Sequence, residues 1–118
     1  MMGNGVKTIG HSAFDSCEKL KNINIGNSVT SIGTKAFYGC IDLEELIIPN
    51  SVKKIDRWAF YCCEKLSKII FEKSNGWWYS EEEDAKSGFD ISSEELIDPT
   101  NAAQILTTGY YNYYLKRK

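Results

Sequence analysis

A solenoid of three stacked 23-residue units, closed by a non-repeat C-terminal cap, is the fold class predicted by this 118-residue sequence. Three observations predict it. Ala-Phe pairs at 13–14, 36–37 and 59–60 are followed by Cys17, Cys40 and Cys63, and then by Leu20, Leu43 and Leu66. The same step, without insertion, relates Val6, Val29 and Val52; Ile9, Ile32 and Ile55; Ile23, Leu46 and Ile69; and Ile25, Ile48 and Phe71. After Phe71 the period stops, and turn and helix-start signals replace it. A strict period in the twenties means stacking, because one such unit has too little core to bury alone. Three units are about the minimum for a stable stack. The expected division is residues 1–73 for the repeats and 74–118 for the cap.

Within each unit the chain first crosses the stack. Val29 and Ile32, like Val52 and Ile55, stand three apart and both point inward. Ile9-Gly10 and Ile32-Gly33 lead into the Ala-Phe segment, whereas the third copy has Ile55-Asp56, so glycine is convenient there rather than obligatory. Ala36, Phe37 and Cys40 fit about one helical turn with its apolar side on the core and Tyr38-Gly39 outside. Small Ala lets neighbouring turns approach while Phe fills the centre, an alternation of volumes that a layered core needs. The runs Leu20 to Ile25, Leu43 to Ile48 and Leu66 to Phe71 carry apolar residues two apart, as half-buried strands require. Each pairs with the next in parallel, about 4.8 Å away. Asn22, Asn24, Glu45, Ile47, Lys68 and Ile70 then point outward and form the expected partner-binding face. Turns at Gly26 to Ser28 and Pro49 to Ser51 follow the first two strands.

The cap reads differently. Lys73 to Gly76 is a turn, and Trp77-Trp78-Tyr79 a short aromatic strand that covers the last unit. Glu81 to Asp84 is a solvated loop, without the alternating oxygen ligands and central glycine of a calcium loop. Asp98-Pro99 is an N-cap followed by proline at the first helical position, starting a helix to about Thr108 with Ala102, Ile105 and Leu106 on one face. If that helix continues past Gly109, the basic end Leu115 to Lys118 complements its dipole. Trp77, Trp78, Tyr110, Tyr111, Tyr113 and Tyr114 are read first as cap packing over the apolar end of the stack. The sharper alternative is an aromatic surface for carbohydrate or peptide.

The formal charge of −2 hides a split: residues 1–73 carry 10 Lys/Arg and 8 Asp/Glu, whereas 74–118 carry 4 and 8. Neither part has the basic bias of a nucleic-acid footprint. Cys17, Cys40 and Cys63 share one repeat position and form a buried ladder, while Cys62 breaks the spacing and is a candidate exposed thiol. No metal-type pair or Cys-x-x-Cys is present, and no cofactor is expected. His11 is the sole histidine and reads as a surface turn. No spaced Ser/His/Asp or Cys/His set points to an enzyme. No apolar run approaches the roughly 20 residues of a membrane span, and Met1 to Gly5 shows no signal-peptide core. The first unit starts in mid-pattern at Val6, which is consistent with a fragment of a longer chain.

Ile32-Gly33, Ala36-Phe37, Cys40, Leu43, Leu46, Ile48-Pro49, Ser51-Val52 and Ile55 together closely resemble the BspA-like, or treponemal-type, class of leucine-rich repeats. The resemblance covers residues 4 to 72, about 60% of the chain. It implies a right-handed β/α superhelix with short parallel strands on the concave side. It also implies an extracellular or cell-surface setting, with relatives implicated in adhesion to host proteins or to other cells. Known members are usually longer and carry an export signal or wall-anchoring module. The expected function is therefore a non-catalytic protein-interaction or adhesion module of a bacterial surface protein. The alternative is a C-terminal capping fragment that self-associates through its first repeat, around Val6, Ile9, Ala13 and Phe14.

Overall fold

The protein is described by a computed structural model over residues 5–109 and 112–117. Three short crossing strands, β1 (Thr8–Ile9), β2 (Ser31–Ile32) and β4 (Lys54–Ile55), recur at the repeat spacing. Between them lies β3 (Glu45–Ile48), and its counterpart one unit on is β5 (Lys68–Phe71). The cap contributes β6 (Trp77–Ser80), β7 (Phe89–Asp90), helices α1 (Ser93–Ile97) and α2 (Pro99–Gln104), a π-helical turn Ile105–Gly109, and β8 (Tyr114–Arg117). β1, β2 and β4 pair in parallel, with Ile9 opposite Ile32 and Ile32 opposite Ile55. β3 and β5 form a separate parallel pair. The first unit has no regular strand over Leu20 to Ile25, although Ile25 is buried and Ile23 packs against the core. The core is continuous from Ile9 to Leu115 and contains Val29, Phe37, Val52, Phe60 and Ile69 at or below 1% exposure.

The Ala-Phe segments are not helical turns. Alternate amides close local turns, as in Ala36 to Gly33, Tyr38 to Lys35 and Cys40 to Phe37. The amides between them donate to the next unit: Phe14 to Ala36 at 2.7 Å, Phe37 to Ala59 at 2.8 Å, Ser16 to Tyr38 at 2.6 Å and Gly39 to Tyr61 at 2.9 Å. Pointing successive amides in alternating directions requires left-handed backbone at two places per unit. Ser12, Lys35 and Trp58 have φ of 57°, 59° and 60°, and Ser16, Gly39 and Cys62 have 61°, 72° and 65°. Both sets recur every 23 residues. This arrangement satisfies between units the backbone groups that a helix would satisfy within itself. It also stacks Phe14 on Phe37 at 5.2 Å and Phe37 on Phe60 at 5.4 Å, with rings within 5° of parallel. Gly33 is held more tightly than convenience implies, because a β-carbon there would lie 2.8 Å from the His11 backbone nitrogen.

The cap closes the last unit along two edges. β8 pairs antiparallel with β4, placing Leu115 opposite Ile55, and β6 pairs antiparallel with β8 in turn. α2 packs along β5. Its start follows from Asp98, whose carboxylate accepts from the Thr100 and Asn101 amides at 2.9 and 3.3 Å, with Pro99 supplying the first helical φ. The basic end Tyr114–Arg117 is a strand and not a helix terminus, so it does not complement a helix dipole. Tyr114–Arg117 is extended, with Leu115 buried on β4 and Lys116 reaching the Ala85 carbonyl at 3.0 Å. An open β4 edge offers backbone partners that a further helical turn would not use. The acidic loop Glu81 to Asp84 is exposed.

Candidate interaction face

Pairing of β3 with β5 puts Glu45 opposite Lys68, Leu46 opposite Ile69, Ile47 opposite Ile70 and Ile48 opposite Phe71. Because side chains alternate along a strand, Leu46, Ile48, Ile69 and Phe71 enter the core while the other four face out. Ile47 and Ile70 are 48% and 42% exposed and adjacent across the pair. Asn22 and Asn24 are exposed in the first unit, outside any strand. Asn22, Asn24, Glu45, Ile47, Ile70 and Glu72 contribute to the lining of an open groove of about 520 Å³. Lys68 lies beside Glu45 without lining it.

A second cluster lies where sequence reasoning singled out no site. Lys35, Tyr38, Trp58, Tyr61 and Asn112 line a shallow depression of about 370 Å³. The Lys35 ammonium sits 5.5 Å from the Tyr38 ring and 5.3 Å from the Trp58 ring. The Arg57 guanidinium sits 5.5 Å from Trp58 and 4.7 Å from Tyr114. Tyr38 and Tyr61, one repeat apart, meet edge to face at 5.6 Å. Cys62 lies against Tyr38 and is the main reason the phenol titrates above its ordinary range, burial adding to it. The available signal was the third unit's Arg57-Trp58, standing where the other units have His11-Ser12 and Thr34-Lys35.

The aromatic residues of the cap separate. Trp77 is no surface residue: it is 2% exposed, edge-on to Phe71 at 5.5 Å, and its indole N–H donates to the Lys73 carbonyl at 2.9 Å. β6 turns that face toward the end of the core, so cap packing is its role. Trp78 is half-buried beneath the Lys116 ammonium at 5.7 Å. Tyr113 and Tyr114 are also half-buried, Tyr113 meeting Tyr79 edge to face at 5.0 Å. Tyr110 and Tyr111 lie outside the described residues.

The cysteine ladder is more than apolar filling. The Cys40 thiol donates to the Phe14 carbonyl at 3.1 Å and the Cys63 thiol to Phe37 at 3.0 Å, so each sulfur ties its unit to the one before. Cys17 is half-buried, as is Cys62, and all four are free thiols. His11 is exposed in the first turn. Among the described residues no three His, Cys, Asp or Glu side chains converge as a metal site, and no helix is long and apolar enough to cross a membrane.

The family model of the BspA-type leucine-rich-repeat region, built of six copies, matches residues 2–81. The chain belongs to the BspA-type leucine-rich-repeat family. The BspA-type match takes in all three 23-residue units and runs on through β6. It accounts for the repeated strands, and it makes this a module of the protein-interaction type. No curated protein and no solved structure shows significant similarity to the chain.

Proposed function

We propose that this chain is a non-catalytic adhesion or recognition module that binds a protein partner through the face formed by Asn22, Asn24, Glu45, Ile47, Lys68 and Ile70. The family resemblance supports a bacterial cell-surface or secreted setting, a host or cell-surface protein as partner, and a right-handed superhelix with this face on its concave side. The observation that carries the reading is the pair Ile47 and Ile70, apolar and exposed on adjoining strands where alternation spends no core-forming role on them. Flanking Glu45 and Lys68 lie in register and add a charge pattern suited to specificity. The partner needs neither nucleic-acid nor membrane-inserting character.

The test measures binding of the full chain to a panel of immobilised host extracellular proteins by surface plasmon resonance. For any protein bound, Ile47→Asp combined with Ile70→Asp is expected to lower affinity at least about a hundredfold, as for central apolar anchors. The circular dichroism spectrum and unfolding midpoint should remain close to the parent's. Unchanged affinity in the folded double variant rules this face out.

Self-association through the first unit is the second reading. Val6, Phe14, Cys17, Leu20 and Ile23 are only partly buried, whereas their equivalents Val29, Phe37, Cys40, Leu43 and Leu46 are buried by the neighbouring units. β1 also presents an unpaired parallel edge among the described residues.

A further inference from the structure

The geometry points to a second binding site, built on Trp58, Tyr38, Tyr61 and Lys35, for a saccharide that carries a carboxylate. It shares no residue with the groove beside Ile47 and Ile70, so it stands independently of the face proposed above.

Trp58 occupies a position where the backbone must be left-handed, φ 60°, as at Lys35 and Ser12 one and two units earlier. A bulky side chain is the least suitable occupant of such a position. The ring does not repay this by filling the core, because Trp58 is only half-buried. Strained residues of this kind are a signature of sites whose geometry serves a ligand.

The surroundings define the ligand's chemistry. Trp58, Tyr38 and Tyr61 border one depression, and aromatic faces of this kind suit the C–H face of a sugar ring. The Lys35 ammonium lies between two of the rings and Arg57 flanks Trp58. Among the described residues neither cation is in an ion pair with a carboxylate, the two such pairs being Lys54 with Asp56 and Lys65 with Asp42. Arg57 donates from one terminal nitrogen to the Glu81 carbonyl at 2.7 Å, while its Nε is buried without an acceptor. One lining cation, Lys35, beside the aromatic rings suits a single acid group on a sugar ring, while Arg57 flanks Trp58 outside the lining, held by the Glu81 carbonyl and the Tyr114 ring. The cluster suits a polyanion poorly, because the Arg57 contact places it at the start of the acidic run Glu81 to Asp84. The exposed Asn112 at the rim adds an amide for hydroxyl groups.

The test is a titration of the isotope-labelled full chain with 3′-sialyllactose and, separately, with its neutral parent lactose, followed through backbone amides and the three tryptophan indole signals. Sialyllactose should shift the Trp58 indole and the Lys35 amide, leave the buried Trp77 indole in place, and bind about tenfold more tightly than lactose, the increment of one charge-assisted contact. Trp58→Gly suits the left-handed backbone, so it should keep the fold, judged by the Trp77 indole shift and the unfolding midpoint, and lose sugar binding. Lys35→Gln should reduce sialyllactose to the level of lactose. The proposal is overturned if neither sugar binds, if the two bind equally, if Trp58→Gly binds like the parent, or if a short single-stranded oligonucleotide binds the cluster more tightly than sialyllactose.

Discussion

At the residue scale, burial and backbone geometry decide what each repeat position does. Cys40 and Cys63 sit in the core, and burial pushes their thiols from 9.0 up to about 11 and about 12, outweighing the lowering effect of the Cys17 backbone on Cys40 and of the Cys40 backbone on Cys63. In the unfolded chain both titrate near the ordinary cysteine value. Between that value and the raised ones, the folded state therefore holds more protons than the unfolded state, so stability falls as pH rises. The window opens near pH 9 and closes near 11 for Cys40 and 12 for Cys63, with a slope of up to about 1.4 kcal/mol per pH unit for each thiol. Urea unfolding at a series of pH values should show this decline, and Cys40→Ala with Cys63→Ala should flatten it whatever the double variant's absolute stability. The left-handed positions act in the same local way. Holding Trp58 there costs about 1–3 kcal/mol, which the bonds between units make up collectively.

At the element scale, β8 joins the repeats to the cap. Leu115 is 1% exposed and stands between Ile55 of β4 and Tyr79 of β6. The Arg117 amide donates to the Lys53 carbonyl at 2.8 Å, continuing the series in which Thr30 donates to Lys7 and Lys53 to Thr30. β8 thus takes the place of a fourth crossing strand, but runs in the opposite direction. Leu115→Ala is expected to destabilise the protein by about 2–5 kcal/mol in chemical denaturation. Hydrogen exchange in that variant should accelerate in β4 and β6 before it does in β3, because only the first two lose their neighbour. α2 is legible at its start, where Asp98 and Pro99 act within their own turn, and the helical run ends at Gly109, next to the expected Thr108, but its π-helical last turn is not legible. The π-helical turn Ile105–Gly109 lets the chain leave the helix and return along β4, a route set by a strand more than fifty residues away.

At the scale of the whole molecule, a short solenoid and its cap form one body with a radius of gyration of 12.7 Å, close to the roughly 13 Å of an ordinary domain of this length. The cap covers one end, and at the other the partly exposed Val6, Phe14 and Leu20 form an apolar end surface. If that surface drives self-association, light scattering over a wide concentration range should show a dimer that Phe14→Asp returns to monomer. A monomer at the highest concentration would discard the second reading and leave the Ile47 and Ile70 face as the place to seek partners. The sequence by itself determined the length of the unit, the inward ladders of Val, Ile, Phe and Cys, the outward placement of Ile47 and Ile70, and the start of α2. Each depends on side-chain period or on capping within a few residues. Only the tertiary structure decided that the Ala-Phe segments are turns with left-handed residues bonded between units, that Tyr114–Arg117 is a strand, and that Trp58 meets Lys35 and borders one depression with Tyr38 and Tyr61. Those outcomes rest on contacts between neighbouring units or between the cap and the last unit, and a side-chain period records which residues face inward without recording which backbone groups meet across the stack.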